Sequence, residues 1–217
     1  MIEKIVSSPP WHLYESGQLS QPECYERAAR QFGLDTSEVA EAFIQIHASL
    51  QPDAAVVAFI KGLRKDTPVK IYVMSNIAKE DFEALGDKMD RRLFNAVFTS
   101  GAYGTRKPEP DFYCKVMEEI DLKPEEVVFV DNRHENVAAA TNLGIRGLVF
   151  DKEMVKTLQG VLDEPATRTR NLLHRNAKKF ESKIDNGIGV GDNVASLLIL
   201  EATQKPLACP VLFWERR

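Results

Sequence analysis

Three stretches of this chain end in polar side chains that could converge on one anion: "VMSN" with Ser75 and Asn76, "GTRKPEP" with Lys107, and "VVFVDN" with Asp131 and Asn132. A hydroxyl and an amide can donate to an oxyanion, and a lysine ammonium can neutralise it. A carboxylate can hold a hard cation such as Mg2+ through oxygen. Aimed at one point, these groups describe a phosphoryl-transfer site, in which the protein's part is positioning and charge neutralisation. Each group also has a plain structural use. Ser75 and Asn76 suit a helix N-cap, Lys107 a solvated loop cation, Asp131 a cap for the helix that follows, and Glu135 a solvent-facing position. What separates the functional reading from the structural one is order: each cluster lies at the end of a short strand-like run with room for a helix before the next.

The elements that must position them read as follows. "VKIYVMSN", "NAVFTS", "EEVVFVDN" and "RGLVF" are short runs rich in β-branched and aromatic residues. They alternate with "KEDFEALGDKM", "DFYCKVMEEIDL" and "ENVAAATNLGI", which are helical in pattern. Strands alternating with helices predict parallel βαβ units in one sheet, with ligands bound beyond the carboxyl ends of the strands. Upstream, residues 22–63 carry helices and no convincing strand. Ser20 is a cap with Pro22 in the first turn and Gly33 at the stop; Asp35 or Thr36 is the next cap, with Glu38 in the first turn. From residue 151 onward the pattern returns to helix, apart from "NVASLLILEAT", which reads as helix or strand. The expected organisation is a helical cap region at 10–66, an α/β core at 67–150 and a C-terminal helical extension at 151–217.

With 217 residues, 44% hydrophobic and 28% charged, the chain is large enough for one sizeable core. A net charge of -4 gives no basic footprint, so nucleic acid is not an expected partner. Cys24, Cys114 and Cys209 are far apart and form neither a CxxC pair nor a metal spacing, which fits a reduced, cytoplasmic protein. No run approaches the length of a membrane span, and the first residues do not read as a signal peptide.

Taken in order, "VMSN", "GTRKPEPDFY" and "VVFVDNRHENVAAATNLGI" resemble motifs II, III and IV of the haloacid dehalogenase-like superfamily, and the helical 22–63 region resembles its cap. The resemblance covers roughly residues 10–150. It implies a Rossmann-like core and Mg2+-dependent hydrolysis of phosphate esters through an aspartyl-phosphate. By position, Ser75, Asn76 and Lys107 would bind the phosphoryl group, Asp131 and Asn132 would hold the metal, and Asn136 would add a further contact. Residues 171–204 are similar to the segment that follows this core in fungal proteins of drimane-type terpenoid pathways. That likeness implies a prenyl or drimanyl phosphate or diphosphate as ligand, and offers the start of a terpene cyclase-like domain as a reading of 151–217. The Asp-rich protonation motif of such a cyclase does not occur, so cyclisation is not expected of this chain.

Two departures from the superfamily pattern matter. No Asp-x-Asp occurs, and the first residues look like the segment that follows the strand bearing it, so the nucleophile is missing. A core without that strand would leave a gap between the strands near 69–74 and 127–130, for which the terminal run "PVLFW" is a candidate filler. Where relatives with two adjacent aspartates hold Mg2+ through the second, this chain has Asn132, a weaker ligand for a hard cation. Three readings stay open: a phosphatase with weak Mg2+ binding, a non-catalytic protein that binds a phosphorylated ligand or a partner enzyme, and a fragment with exposed strand edges.

Overall fold

The computed structural model describes residues 1–66, 70–150, 197–200 and 214–216. Two short helices open the chain, α1 (Ile2–Val6) and α2 (Pro9–Glu15), followed by α3 (Gln21–Phe32), α4 (Thr36–Ser49) and α5 (Ala54–Asp66). The capping signals operate as the sequence predicts. The Glu23 carboxylate accepts from the Ser20 N–H at 3.2 Å and that of Glu38 from the Asp35 N–H at 3.3 Å, while Gly33 closes α3 with a φ of 66°. One small strand, β1 (Leu50–Pro52), interrupts the expected all-helical stretch. It pairs antiparallel with β7 (Trp214–Arg216).

The core sheet is built from β2 (Ile71–Ser75), β3 (Ala96–Thr99), β4 (Val127–Asp131), β5 (Arg146–Val149) and β6 (Leu197–Leu200) in the order β3-β2-β6-β4-β5, with every neighbouring pair parallel. The expected gap is therefore filled, and by a different segment from the one anticipated. Leu197–Leu200 runs between β2 and β4, with Leu198 in register with Ile71 on one side and Val128 on the other. The physical cause is the hydrogen-bonding demand of two facing strand edges, whose N–H and C=O groups need a partner inside a covered sheet. Trp214, the last residue of "PVLFW", goes instead to β7; the rest of that run lies outside the described residues. So does most of the helical pattern expected for 151–217, where the described residues are strands rather than helix.

Connecting the strands are α6 (Lys79–Ala84), α7 (Ser100–Tyr103), α8 (Pro110–Ile120) and α9 (His134–Asn142). The α6 helix is shorter than "KEDFEALGDKM" suggests, because Gly86 turns to a φ of 49° and the chain continues as a 3-10 turn. Strand alternation divides the interior into two cores. Ile71, Val73 and Val130 pack into the one shared with the cap helices, where Trp11 stacks on Phe43 at 4.3 Å. Tyr72, Met74, Val127 and Phe129 pack into the other, beneath α8 and α9 with Phe112, Tyr113 and Val137. The outcome is an α/β parallel sheet, helices around it, and a helical cap region whose base is α2.

Candidate functional site

Every βα connection that carries a candidate residue opens at the same edge of the sheet, because the strands are parallel. The strand β2 ends in Ser75, fully buried, and continues into Asn76, also buried. Beyond β3, α7 closes at Gly104 in the left-handed conformation, and the chain runs through Thr105 and Arg106 to Lys107, whose peptide bond to Pro108 is cis. The last residue of β4 is Asp131, fully buried.

Lys107 and Asp131 meet in the middle. The ammonium Nζ lies 3.0 Å from Asp131 Oδ2 and donates to the Met74 carbonyl at 2.7 Å. Burial pulls its pKa below the usual lysine value, opposed by the charge and hydrogen bond of Asp131 and then by the more distant charge of Glu15. Asn136, on the first turns of α9, donates to both oxygens of Asp131 at 3.1 Å, and the Arg133 N–H adds a bond to Oδ1 at 2.8 Å. Asn76 acts on Lys107 through the backbone: its Nδ2 donates to the Lys107 carbonyl at 2.8 Å, and its Oδ1 accepts the Lys107 N–H at 2.7 Å. Four of the six predicted residues, Asn76, Lys107, Asp131 and Asn136, thus form one buried network. Ser75 is buried at its edge, and Asn132 sits half-buried just beyond Asp131.

The fit to Mg2+ can be judged from the donors around the one carboxylate. Asp131 Oδ1 already accepts from Arg133 and Asn136, and Oδ2 from Lys107 and Asn136. Two oxygens with about four acceptor directions are thereby engaged. Among the described residues no three His, Cys, Asp or Glu side chains cluster as a metal site. These residues do not make a ready Mg2+ site: a cation would have to displace one of those donors.

Sequence reasoning did not find the charged pair behind Lys107. Arg106 Nε lies 3.0 Å from Glu15 Oε2, and Trp11 Nε1 donates to Glu15 Oε1 at 2.9 Å. Burial raises the Glu15 carboxyl to about 7, against the opposing pull of Arg106 and the Trp11 bond. The available signals were slight: Glu15 stands four residues after Trp11, on the same helix face, and Arg106 adjoins Lys107. A second missed cluster joins cap to core. Gln21 donates to Tyr14 Oη at 3.0 Å and to Asp81 Oδ1 at 3.2 Å, with His47 Nε2 3.7 Å from that same oxygen. Burial raises the Asp81 carboxyl, and the charge of His47 opposes it.

Comparison with known proteins finds relatives of this chain. The family described as haloacid dehalogenase-like hydrolase matches residues 40–144. The chain is 36% identical over 208 residues to a drimenol cyclase of Aspergillus calidoustus, an alignment covering 94% of this chain and 39% of that protein. It is 37% identical over 145 residues to a sesquiterpene phosphatase of Aspergillus oryzae, covering 66% of this chain and 74% of the relative. Among solved structures, a HAD-like family hydrolase of Porphyromonas gingivalis superposes with a TM-score of 0.55 at 24% identity, over 76% of this chain and 84% of that one. That superposition establishes likeness of fold.

Proposed function

This chain belongs to the haloacid dehalogenase-like hydrolase family, and on that premise we propose that its strand-end network binds the phosphate group of a small phosphorylated molecule. The observation that carries this is the buried Lys107 ammonium, paired with Asp131 and bonded to the Met74 carbonyl, on a backbone that Asn76 fixes. A buried cation is costly unless it is paired, and here a single carboxylate shared with two other donor groups, the Arg133 N–H and the Asn136 amide, balances it. A phosphate dianion arriving at the ends of β2 and β4 meets that ammonium, the Ser75 hydroxyl and the N–H groups of the loops. An isoprenoid phosphate is the favoured class, because the relatives include a sesquiterpene phosphatase and a drimenol cyclase, the latter matched over only 39% of its length.

Hydrolysis through an aspartyl-phosphate calls for a carboxylate facing the phosphorus, and none of the network's groups has that role: Asp131 is engaged on both oxygens. The network therefore supports binding and charge neutralisation, and turnover is a separate property. The test takes the 217-residue chain with an aryl phosphate and Mg2+, and in parallel measures its melting temperature with inorganic phosphate and with farnesyl phosphate. Binding predicts a rise in melting temperature that saturates with ligand. Phosphate release at a rate proportional to protein, abolished in Lys107→Met, would add hydrolysis to the reading. Absence of both signals would remove the phosphate site altogether.

A further inference from the structure

Glu15 is fixed by the connection after β3 that carries Lys107. Its carboxylate holds Arg106, the residue before Lys107, and its backbone carbonyl accepts the Ser100 hydroxyl at 2.6 Å. The same hydroxyl accepts the Ile77 N–H at 2.8 Å, from the loop that follows Asn76. Two residues on, Gly17 sits so close to the Gly101 carbonyl that a Cβ there would come within 2.8 Å of the oxygen. The base of the cap is thus seated on the site, with a carboxylate as its polar contact.

The charges around Glu15 are mostly positive. From its own helix it is faced by the Trp11 N–H, from the loop after α7 by Arg106 and Lys107, from the loop after β4 by Arg133, and from α3 by Cys24. Glu15 and Arg106 both act on Lys107, in opposite directions. Arg133 has its own partner in Glu135, at the surface.

We propose that Glu15 is a positioning residue that sets anion affinity through Arg106: ionised, it cancels the Arg106 charge; protonated, it releases that charge to act on a phosphate bound at Lys107. The proposal rests on the phosphate reading above. In the protonated form one carboxyl oxygen still accepts from Trp11, so the seat on the cap persists while the site gains one positive charge. Burial places the proton exchange of Glu15 near neutrality, at about 7. Anion binding and protonation of Glu15 then favour one another, and the coupling is reciprocal.

Sulfate is the suitable probe, because its charge does not change between pH 5.5 and 8.5 as that of phosphate does. Wild type is expected to bind sulfate roughly tenfold more tightly at the acid end of this range than at the alkaline end. Glu15→Gln should hold the tight affinity throughout. A measurement on the unaltered chain guards against a variant that fails to fold: the carbon-13 shift of the Glu15 carboxyl, followed against pH, should show its midpoint moving up when sulfate is added. Sulfate binding with a pH profile identical in wild type and Glu15→Gln, or a Glu15 midpoint indifferent to sulfate, overturns the proposal and leaves the phosphate reading standing. No binding of sulfate or phosphate by wild type at any pH overturns both.

Discussion

Lys107 Nζ and Asp131 Oδ2 lie 3.0 Å apart with both side chains wholly shielded from solvent. They are 24 residues apart in sequence and reach one another because β2, β3 and β4 run parallel and their C-terminal loops share one edge. A pair of this kind contributes modestly to stability as a unit, since desolvation offsets most of the attraction, but losing one member leaves a buried charge alone.

Lys107→Met is therefore expected to destabilise the fold by about 3–5 kcal/mol, read from urea unfolding at neutral pH. Adding Asp131→Leu should recover part of the loss, because the orphaned carboxylate goes too. A double variant as unstable as the sum of the two singles would show that the residues are not energetically coupled.

Asn76 gives a second, independent probe of the same loop. Its amide makes a reciprocal pair of bonds with the Lys107 backbone, at 2.8 and 2.7 Å. Asn76→Ala leaves a buried N–H and a buried C=O unsatisfied, at about 1–3 kcal/mol each. It should lower stability by an amount in that range or above and weaken phosphate binding, although the residue's amide is turned to the lysine. Unchanged phosphate affinity in a folded Asn76→Ala would mean that Lys107 does not depend on this support.

How much of this could be read beforehand differs between residues. The strand-end clusters were legible, because a short continuous apolar run followed by Ser-Asn or Asp-Asn is a local pattern. The caps at Ser20 and Asp35 were legible for the same reason. Arg106 and Glu15 were not: they are 91 positions apart, and nothing local distinguishes a glutamate that ends in a buried pair from a solvated one. Asn76, expected to bind a phosphoryl group, turns its amide to the Lys107 backbone, a relation that depends on how two loops pack 31 residues apart. The run at 197–200 was ambiguous because four apolar residues fit a buried helix or a buried strand equally well, and the sheet's need for a partner decided it.

Backbone crowding at the cap seat can be separated from backbone conformation by comparing two glycines. Gly17 and Gly33 have nearly the same φ, 68° and 66°, but an added Cβ at Gly17 meets the Gly101 carbonyl at 2.8 Å, while at Gly33 it meets nothing within 4 Å. Gly33→Ala should cost only the left-handed conformation, about 1–2 kcal/mol. Gly17→Ala should cost more, because α2 must shift against α7. Equal effects in thermal unfolding would argue that the seat is not tightly packed.

Magnesium alone should do little. With both Asp131 oxygens engaged by Lys107, Asn136 and Arg133, millimolar Mg2+ is expected to leave the melting temperature unchanged in the absence of an anion. A saturable rise with Mg2+ alone would mean that the carboxylate gives up one of these donors readily.

The last expectation concerns pH and follows from Glu15. Its carboxyl titrates near 7 in the fold against about 4.5 when exposed, so the folded chain holds a proton that the unfolded chain has released between those values. Stability from this group is full below about 4.5, falls as pH rises to 7, and is constant above, by about 3 kcal/mol in total. Asp81, also raised by burial, slopes the same way, whereas His12, lowered by burial and by Arg106 and Arg133, slopes oppositely because the folded state resists its protonation. Glu15→Gln leaves those two in place and removes only its own share. The difference in unfolding free energy between wild type and Glu15→Gln should therefore shift steadily against wild type from pH 4.5 to 7 and then level off. A difference that does not vary with pH would mean that Glu15 is ionised in the fold throughout, held so by Arg106.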